Sequence, residues 1–468
     1  MKLVLLTGLL ATGATGAADN IDDYINNLIK TQNVPGVVIE IAKDGKVIKK
    51  AAYGMADLEF NVPMKEDDYF EIGSITKQFT AVAICQLMEQ GKVSLDDPIS
   101  KYVDGTPDTW KNIKIHNLLN QNTGLKDYAL VPHVGLLDEY DMPTWLTTMK
   151  PLPLDFETGT TWAYSNTNYV LLGMVVEKAS GQSYTDYLNA NVLKKAGLTH
   201  TSVLDPDAIL PNRAHGYFKN GAQLLRARPS LISTISDGAL ISTADDMIQW
   251  EAALHGGKLV SDASYKMMTS PGALNNGHTR QYGFGTFLTP LGDKPFLGHH
   301  GNSSGYSAGS GYFPSDRLSV IVLSNVYAIN GQKTVKDLAM LVDPSLKPDP
   351  LTVTTDPDPA RTDRIKSAFD KLGAGTTDDS LMDLDITATL GQDRVKTFGN
   401  PYGMFTGIKK VEFAGEQGSP YPADAAHPDN ASCKWLTYKV TTDKAVFDVN
   451  AIYTPQNKLA MIYVRAEA

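Results

Sequence analysis

Ser74 and Lys77 stand three residues apart in the stretch Phe70-Glu71-Ile72-Gly73-Ser74-Ile75-Thr76-Lys77. Residues at this spacing share one face of a helix, so the amine can approach the hydroxyl. A serine hydroxyl is a poor nucleophile until a neighbouring base takes its proton. A lysine can act as that base only where burial or nearby positive charge lowers its pKa. The start of a helix also offers free N–H groups and partial positive charge, which suit a developing oxyanion. The chemistry that these residue types could do is nucleophilic attack on a carbonyl. The ordinary alternative is that Ser74 caps a helix and does nothing more.

The element that must position the pair is a helix from Thr76 to about Met88. Its apolar residues Phe79, Val82, Ala83 and Leu87 recur at helical spacing, and no Gly or Pro interrupts it before Gly91. Upstream, Asn20 to Lys30 has helical spacing, and Val37–Ala42 and Lys46–Ala52 form a hairpin around Lys43-Asp44-Gly45. Tyr53 to Asp57 is expected to leave that sheet and lead toward Ser74. A largely helical middle follows to Leu254. In it, Gly124 is expected to end a helix, Gly181 to stop the helix Tyr169–Ala179, and Thr243 to cap another. Late strands are expected at Gly283–Leu288, Phe296–His300, Gly305–Phe313 and Leu318–Ser324.

The chain has 468 residues, 42% hydrophobic and 20% charged, which fits a globular protein of one large and one smaller domain. A net charge of -10 without any basic cluster argues against nucleic acid as a partner. Residues 1–18 combine Lys2, an apolar run and small residues ending in Gly16-Ala17-Ala18, the pattern of a signal peptide. The expected location is therefore periplasmic or secreted, with no transmembrane segment later in the chain. Pro344, Pro348, Pro350, Pro357 and Pro359 mark residues 344–363 as a linker. This leaves 19–343 as the main domain and 364–468 as a small α+β unit, one helix on a curved sheet, which resembles NTF2-like folds. Cys85 reads as a buried helical residue, and Cys433 is too remote in sequence to be expected as its disulfide partner. The nine histidines show no metal-ligand spacing and no Gly-rich phosphate loop is present, so no metal or cofactor is expected. Adjacent His299 and His300 on a strand should point to opposite faces.

Three short motifs occur in order: Ser74-Ile75-Thr76-Lys77, Tyr164-Ser165-Asn166 and His299-His300-Gly301. With their flanks they resemble the serine β-lactamase and penicillin-binding-protein superfamily. The branch concerned holds class C β-lactamases, D-alanyl-D-alanine carboxypeptidases, D-aminopeptidases and esterases. The resemblance spans roughly residues 20–340 and implies an α/β (α+β) fold, an antiparallel sheet flanked by helices plus a helical subdomain. It implies that Ser74 forms an acyl-enzyme, that Lys77 and Tyr164 share the proton transfers, and that Asn166 binds the substrate amide and holds Lys77. It further implies that His299 and Gly301 line the substrate and that the backbone N–H groups of Ser74 and Asn302 form an oxyanion hole. His299 is the motif residue, because choosing His300 would put Asn302 at the glycine position. Taken alone, Tyr164 reads as a packed loop aromatic, Asn166 as a helix cap and His300 as a strand residue facing core or solvent.

β-Lactamases carry Lys where this chain has His299, and histidine is mostly neutral at pH 7. Carboxylate recognition should be weaker or pH-dependent. The expected activity is hydrolysis of amide or ester bonds in D-amino-acid peptides, small esters or, inefficiently, β-lactams. The alternatives are a β-lactamase proper, or a catalytically weak sensor of cell-wall peptides or β-lactams. Sequence leaves open the oligomeric state and which of Lys77 and Tyr164 takes the first proton.

Overall fold

The computed structural model describes residues 14–134, 138, 140–228, 235–388, 400–419, 421 and 427–467. The expected signal peptide falls mostly outside the described residues. Helix α1 (Ala14–Gln32) precedes strands β1 (Gly36–Lys43) and β2 (Lys46–Asp57). Helices α2 (Thr76–Glu89), α3 (Asn166–Ser180) and α4 (Ala244–His255) belong to the middle of the chain. Strands β3 (Leu297–Ser303), β4 (Tyr306–Phe313) and β5 (Leu318–Ser324) lead to helix α5 (Gly331–Val342). Helix α6 (Pro359–Gly373) and strands β6 (Ile408–Gln417), β7 (Lys434–Thr442), β8 (Val446–Tyr453) and β9 (Leu459–Glu467) complete the chain.

The main sheet runs β3-β4-β5-β1-β2, with the short strand Val62–Pro63 beyond β2, and its principal pairs are antiparallel. Every residue of β5 is buried because helices cover both faces. Alternation decides which side each residue serves. Val37, Ile39 and Ile41 pack with Ile21, Ile25 and Leu28 of α1 and with Val335 and Leu338 of α5. Val38, Ile321 and Leu323 face the other way, into the core with Phe79 of α2 and Trp250 of α4. Ile21, Ile25 and Leu28 all follow residue 18, so cleavage there would spare the packed part of α1. Phe79 and Trp250 stack with ring centroids 3.6 Å apart, and the Trp250 indole donates to Gln78 Oε1 at 3.0 Å.

Several local expectations need correction. Strand β2 continues to Asp57 instead of leaving the sheet after Ala52, because Gly54 pairs with Gly36 and Met55 N donates to Pro35 O at 2.8 Å. The helix expected to end at Gly124 ends at Leu119, since Gln121, Asn122 and Thr123 turn inward to bond other segments. Gly283–Leu288 is a loop, not a strand: Gly285 takes a left-handed φ of 69° that breaks the pattern. Helix α6 starts at Pro359, inside the expected linker, with Asp358 capping Arg361 N. By contrast, α3 stops at Gly181 in the left-handed conformation and Thr243 caps α4, both as expected.

The C-terminal strands form a meander, β6-β7-β8-β9, and α6 packs on one face through Ile365, Phe369 and Leu372. Around the other face, Tyr421 stacks on His278 at 4.1 Å and His427 Nε2 lies 2.7 Å from Asn275 O. Asn430 Nδ2 donates to Asn276 O at 3.0 Å. Cys85 and Cys433 are both free and buried.

Trp250 supports α2 directly behind the residues of interest. Trp250→Ala should destabilise the protein by about 3–5 kcal/mol, measured by urea unfolding. A loss below about 1 kcal/mol would contradict the packing described.

Candidate active site

Ser74 lies in a tight 3-10 turn, Gly73–Ile75, immediately ahead of α2. The residue at the α2 cap position is Ile75, and no side chain caps the helix there. Ser74 is therefore not spent as a cap. Thr76 fixes the turn by donating to Gly73 O at 2.7 Å and accepting from Leu240 N at 3.1 Å. The Ser74 hydroxyl faces Lys77 Nζ at 3.0 Å and stays partly exposed.

Lys77 is wholly buried. Its ammonium has three oxygen partners: Ser74 Oγ, Asn166 Oδ1 at 2.8 Å and the Asp237 carbonyl at 2.7 Å. Loss of solvation pushes its pKa down to about 8, against the opposing pull of the Asp237 and Asp127 carboxylates. Asn166 opens α3, but it caps nothing; its amide donates to both oxygens of Asp127 at 3.2 and 3.3 Å. Asp127 is buried and also accepts from Ala129 N. Asp237 accepts from the Tyr128 hydroxyl at 2.8 Å.

Tyr164 lies with its ring centroid 5.0 Å from Lys77 Nζ. Its hydroxyl is buried and has no hydrogen bond of normal geometry among the described residues. Burial, then Tyr282 and the carboxylates of Asp127 and Asp237, hold its pKa well above 10, and the nearby Ser74 hydroxyl acts in the opposite direction. The phenol therefore keeps its proton in the resting site, while the amine loses its proton far more readily than an exposed lysine.

His299 is buried, with Nδ1 2.6 Å from His300 O and Nε2 3.3 Å from the Tyr282 hydroxyl. Burial, His300 and Lys77 hold its pKa well below the usual value, and burial with Lys77 takes His300 down to about 4. Both imidazoles are neutral at pH 7. Their rings do not diverge as expected: the centroids are 5.7 Å apart, and each ring leans on Phe287, at 4.9 and 5.3 Å. Phe287 is held beside them on the outer edge of β3, where it exchanges backbone hydrogen bonds with Gly298 at 2.8 and 3.1 Å. Gly301 touches the Ser74 turn, since a Cβ there would lie 1.9 Å from Ile72 O and 2.9 Å from Ser74 N. The Asn302 backbone lies against Gly73, which brings its N–H to the same turn.

The site residues expected from sequence are thus neighbours around Ser74 and Lys77. Sequence reasoning missed Asp127, Asp237, Gln121, Tyr282 and Phe287. Gln121 has a left-handed φ of 61°, its side-chain carbonyl accepts from Ser165 N at 3.0 Å and from Asn168, and its backbone carbonyl accepts from Ala163 N at 3.1 Å. It clamps the Tyr164 segment. A readable signal existed only for Asp127, an acidic residue at a turn start just after Gly124-Leu125-Lys126. Among the described residues no group of three or more His, Cys, Asp or Glu side chains could hold a metal.

The family model for Beta-lactamase matches residues 21–342. The chain belongs to the beta-lactamase family. It is 31% identical over 304 residues to penicillin-binding protein 4* of Bacillus subtilis (strain 168), covering 61% of this chain and 66% of that protein. It is 25% identical over 311 residues to a D-aminopeptidase of Brucella anthropi, covering 65% of this chain and 59% of the relative. The chain thus spans somewhat under two thirds of the length of these curated relatives. A penicillin-binding-protein homologue from Pyrococcus abyssi, described as octameric, superposes with a TM-score of 0.62 at 21% identity over 95% of each chain. That likeness in fold extends over the C-terminal meander, which the beta-lactamase match leaves out.

Asp127 opposes the burial effect on Lys77. Asp127→Asn should therefore lower the Lys77 pKa further, followed by NMR titration of 13C-labelled lysine. An unchanged or raised value would show that the carboxylate does not act on the amine.

Proposed function

We propose that the protein is a serine hydrolase that cleaves amide or ester bonds through an acyl-enzyme, with D-amino-acid amides, peptides and small esters as substrates. The observation that carries this reading is the Ser74 hydroxyl 3.0 Å from a buried amine whose pKa falls to about 8. Neutral Lys77 takes the Ser74 proton as Oγ attacks the carbonyl carbon. The carbonyl oxygen becomes an oxyanion between the N–H groups of Ser74 and Asn302. As the tetrahedral intermediate collapses, the Tyr164 phenol gives its proton to the departing nitrogen or oxygen and recovers one from the Lys77 ammonium. Water then enters by the reverse proton route and releases the acid, restoring Ser74.

The substrate class follows from charge. A neutral His299, its one N–H committed to the His300 carbonyl, offers a substrate carboxylate no counter-ion, so the site gains little from one. This favours aminopeptidase, amidase or esterase action over β-lactam or D-alanyl-D-alanine turnover. Supporting the D-configuration are the D-aminopeptidase relative and a D-amino acid amidase of Ochrobactrum anthropi SV3, alike in fold with a TM-score of 0.60 at 22% identity. The reading also includes export, on the strength of the apolar N-terminal run; no described helix is long and apolar enough to cross a membrane. It assigns catalysis to residues 19–343 and an accessory role to 364–468.

The test is a panel of D- and L-aminoacyl amides and esters, D-Ala-D-Ala peptides and nitrocefin, with wild type and Ser74→Ala. Wild type should prefer D-aminoacyl amides or esters and turn over nitrocefin poorly. Ser74→Ala should lose more than about 10³-fold in turnover, together with labelling by an active-site-serine phosphonate. Turnover and labelling that survive the substitution would refute the assignment.

A further inference from the structure

Away from Ser74, a crevice of about 680 Å³ separates the C-terminal sheet from the main sheet's helical cover. Its size falls in the range of small-molecule sites. One wall is the outer face of the meander, where Trp435 and Tyr463 stack with centroids 6.0 Å apart and Asn450 lies beside Tyr463 in register. The opposite wall is the Thr289–Gly292 loop with Lys336 and Met340 of α5, and the chain after α5 closes one side with Pro348 and Pro350. Eleven of its 22 lining residues are aromatic, aliphatic, methionine or proline, enough to take an apolar body, and ten are polar or charged.

The charges are not balanced across it. Of its three lysines, Lys333 is paired with Asp337 at 2.7 Å, and Asp337 also accepts from the Tyr24 hydroxyl at 2.6 Å. Asp448 is buried in the sheet wall, directly across from Lys439 in register. Lys336 and Lys347 have no carboxylate partner among the described residues. Among the described residues Lys336 donates only to the Thr289 carbonyl, at 3.1 Å, and it lies 4.8 Å from the Phe296 ring centroid. A partly buried ammonium that faces a neutral carbonyl and a ring lacks its counter-ion. Its pKa is pushed down to about 8 by the same desolvation.

We propose that this crevice is a binding site for a small amphipathic carboxylate, whose apolar body lies on Trp435 and Tyr463 and whose carboxylate pairs with Lys336. Lys347 stands at the rim and adds long-range attraction. The site does not depend on Ser74 chemistry, so it stands or falls separately from the hydrolase reading.

The test is calorimetric titration of the full chain, wild type and Ser74→Ala, with octanoate, 1-octanol and octylamine. Octanoate should bind one per chain with equal affinity in both proteins, and the alcohol and amine at least about tenfold more weakly. Lys336→Met keeps the side chain's length and should weaken octanoate by about tenfold or more, with unfolding curves checking that the variant is folded. Lys347→Glu, on the exposed rim, should weaken it by a smaller factor, and it carries the test should Lys336→Met fail to fold. No binding by 1 mM, equal binding of octanol, or loss of binding in Ser74→Ala would overturn the proposal.

Discussion

Everything in the cleft depends on one ammonium group being taken out of water. Lys77 sits where α2, the start of α3 and the Asp237 segment meet, with no exposed surface. Three neutral oxygens solvate it, while the two nearest carboxylates, Asp127 and Asp237, are one shell further out. Direct ion pairing would have locked the charge in place. Desolvation without it leaves an amine that can exchange its proton near neutral pH, and the same burial keeps the Tyr164 phenol protonated. One constraint thus moves the two groups' proton affinities in opposite directions beside the same hydroxyl, the amine's down and the phenol's up.

The fold supplies that constraint through packing. The core on the α2 side, with Phe79 against Trp250, holds the helix from behind, and β3 presses Gly301 and Asn302 against the Ser74 turn from the front. Because β3 is an edge strand, the Tyr282–Phe287 loop can run along it and wall the cleft with aromatic rings. These rings help to bury His299 and hold its imidazole further toward the neutral form. Burial therefore bears on the imidazole as well as on the amine.

What was legible in the sequence was whatever is local or periodic. The α2 helix, the β1–β2 hairpin, the Gly181 stop and the Thr243 cap follow from spacing and cap chemistry within a few residues. The three motifs were readable by resemblance, and the cleft contains them all. Less legible were features set by distant contacts. Gln121-Asn122-Thr123 reads as a polar helix end, yet these side chains are buried because Gln121 and Thr123 bond Ser165 and Asn168 and Asn122 bonds Ala273 O, all far along the chain. Phe284-Gly285-Thr286-Phe287 has strand composition, but the left-handed Gly285 turns it into a loop. Asp237 reaches Lys77 through its backbone carbonyl and, at longer range, through its charge, and nothing local in the sequence signals either.

The most direct measurement is the pH dependence of the second-order rate at which an active-site-directed phosphonate inactivates the wild-type protein. A base that works only when neutral should give a rate rising with pH through a single ionisation near 8, then a plateau, because Lys77 is protonated below that value. A flat profile, or an ionisation near 6.5 of the kind an unperturbed histidine would give, would contradict the assignment of the first proton to Lys77.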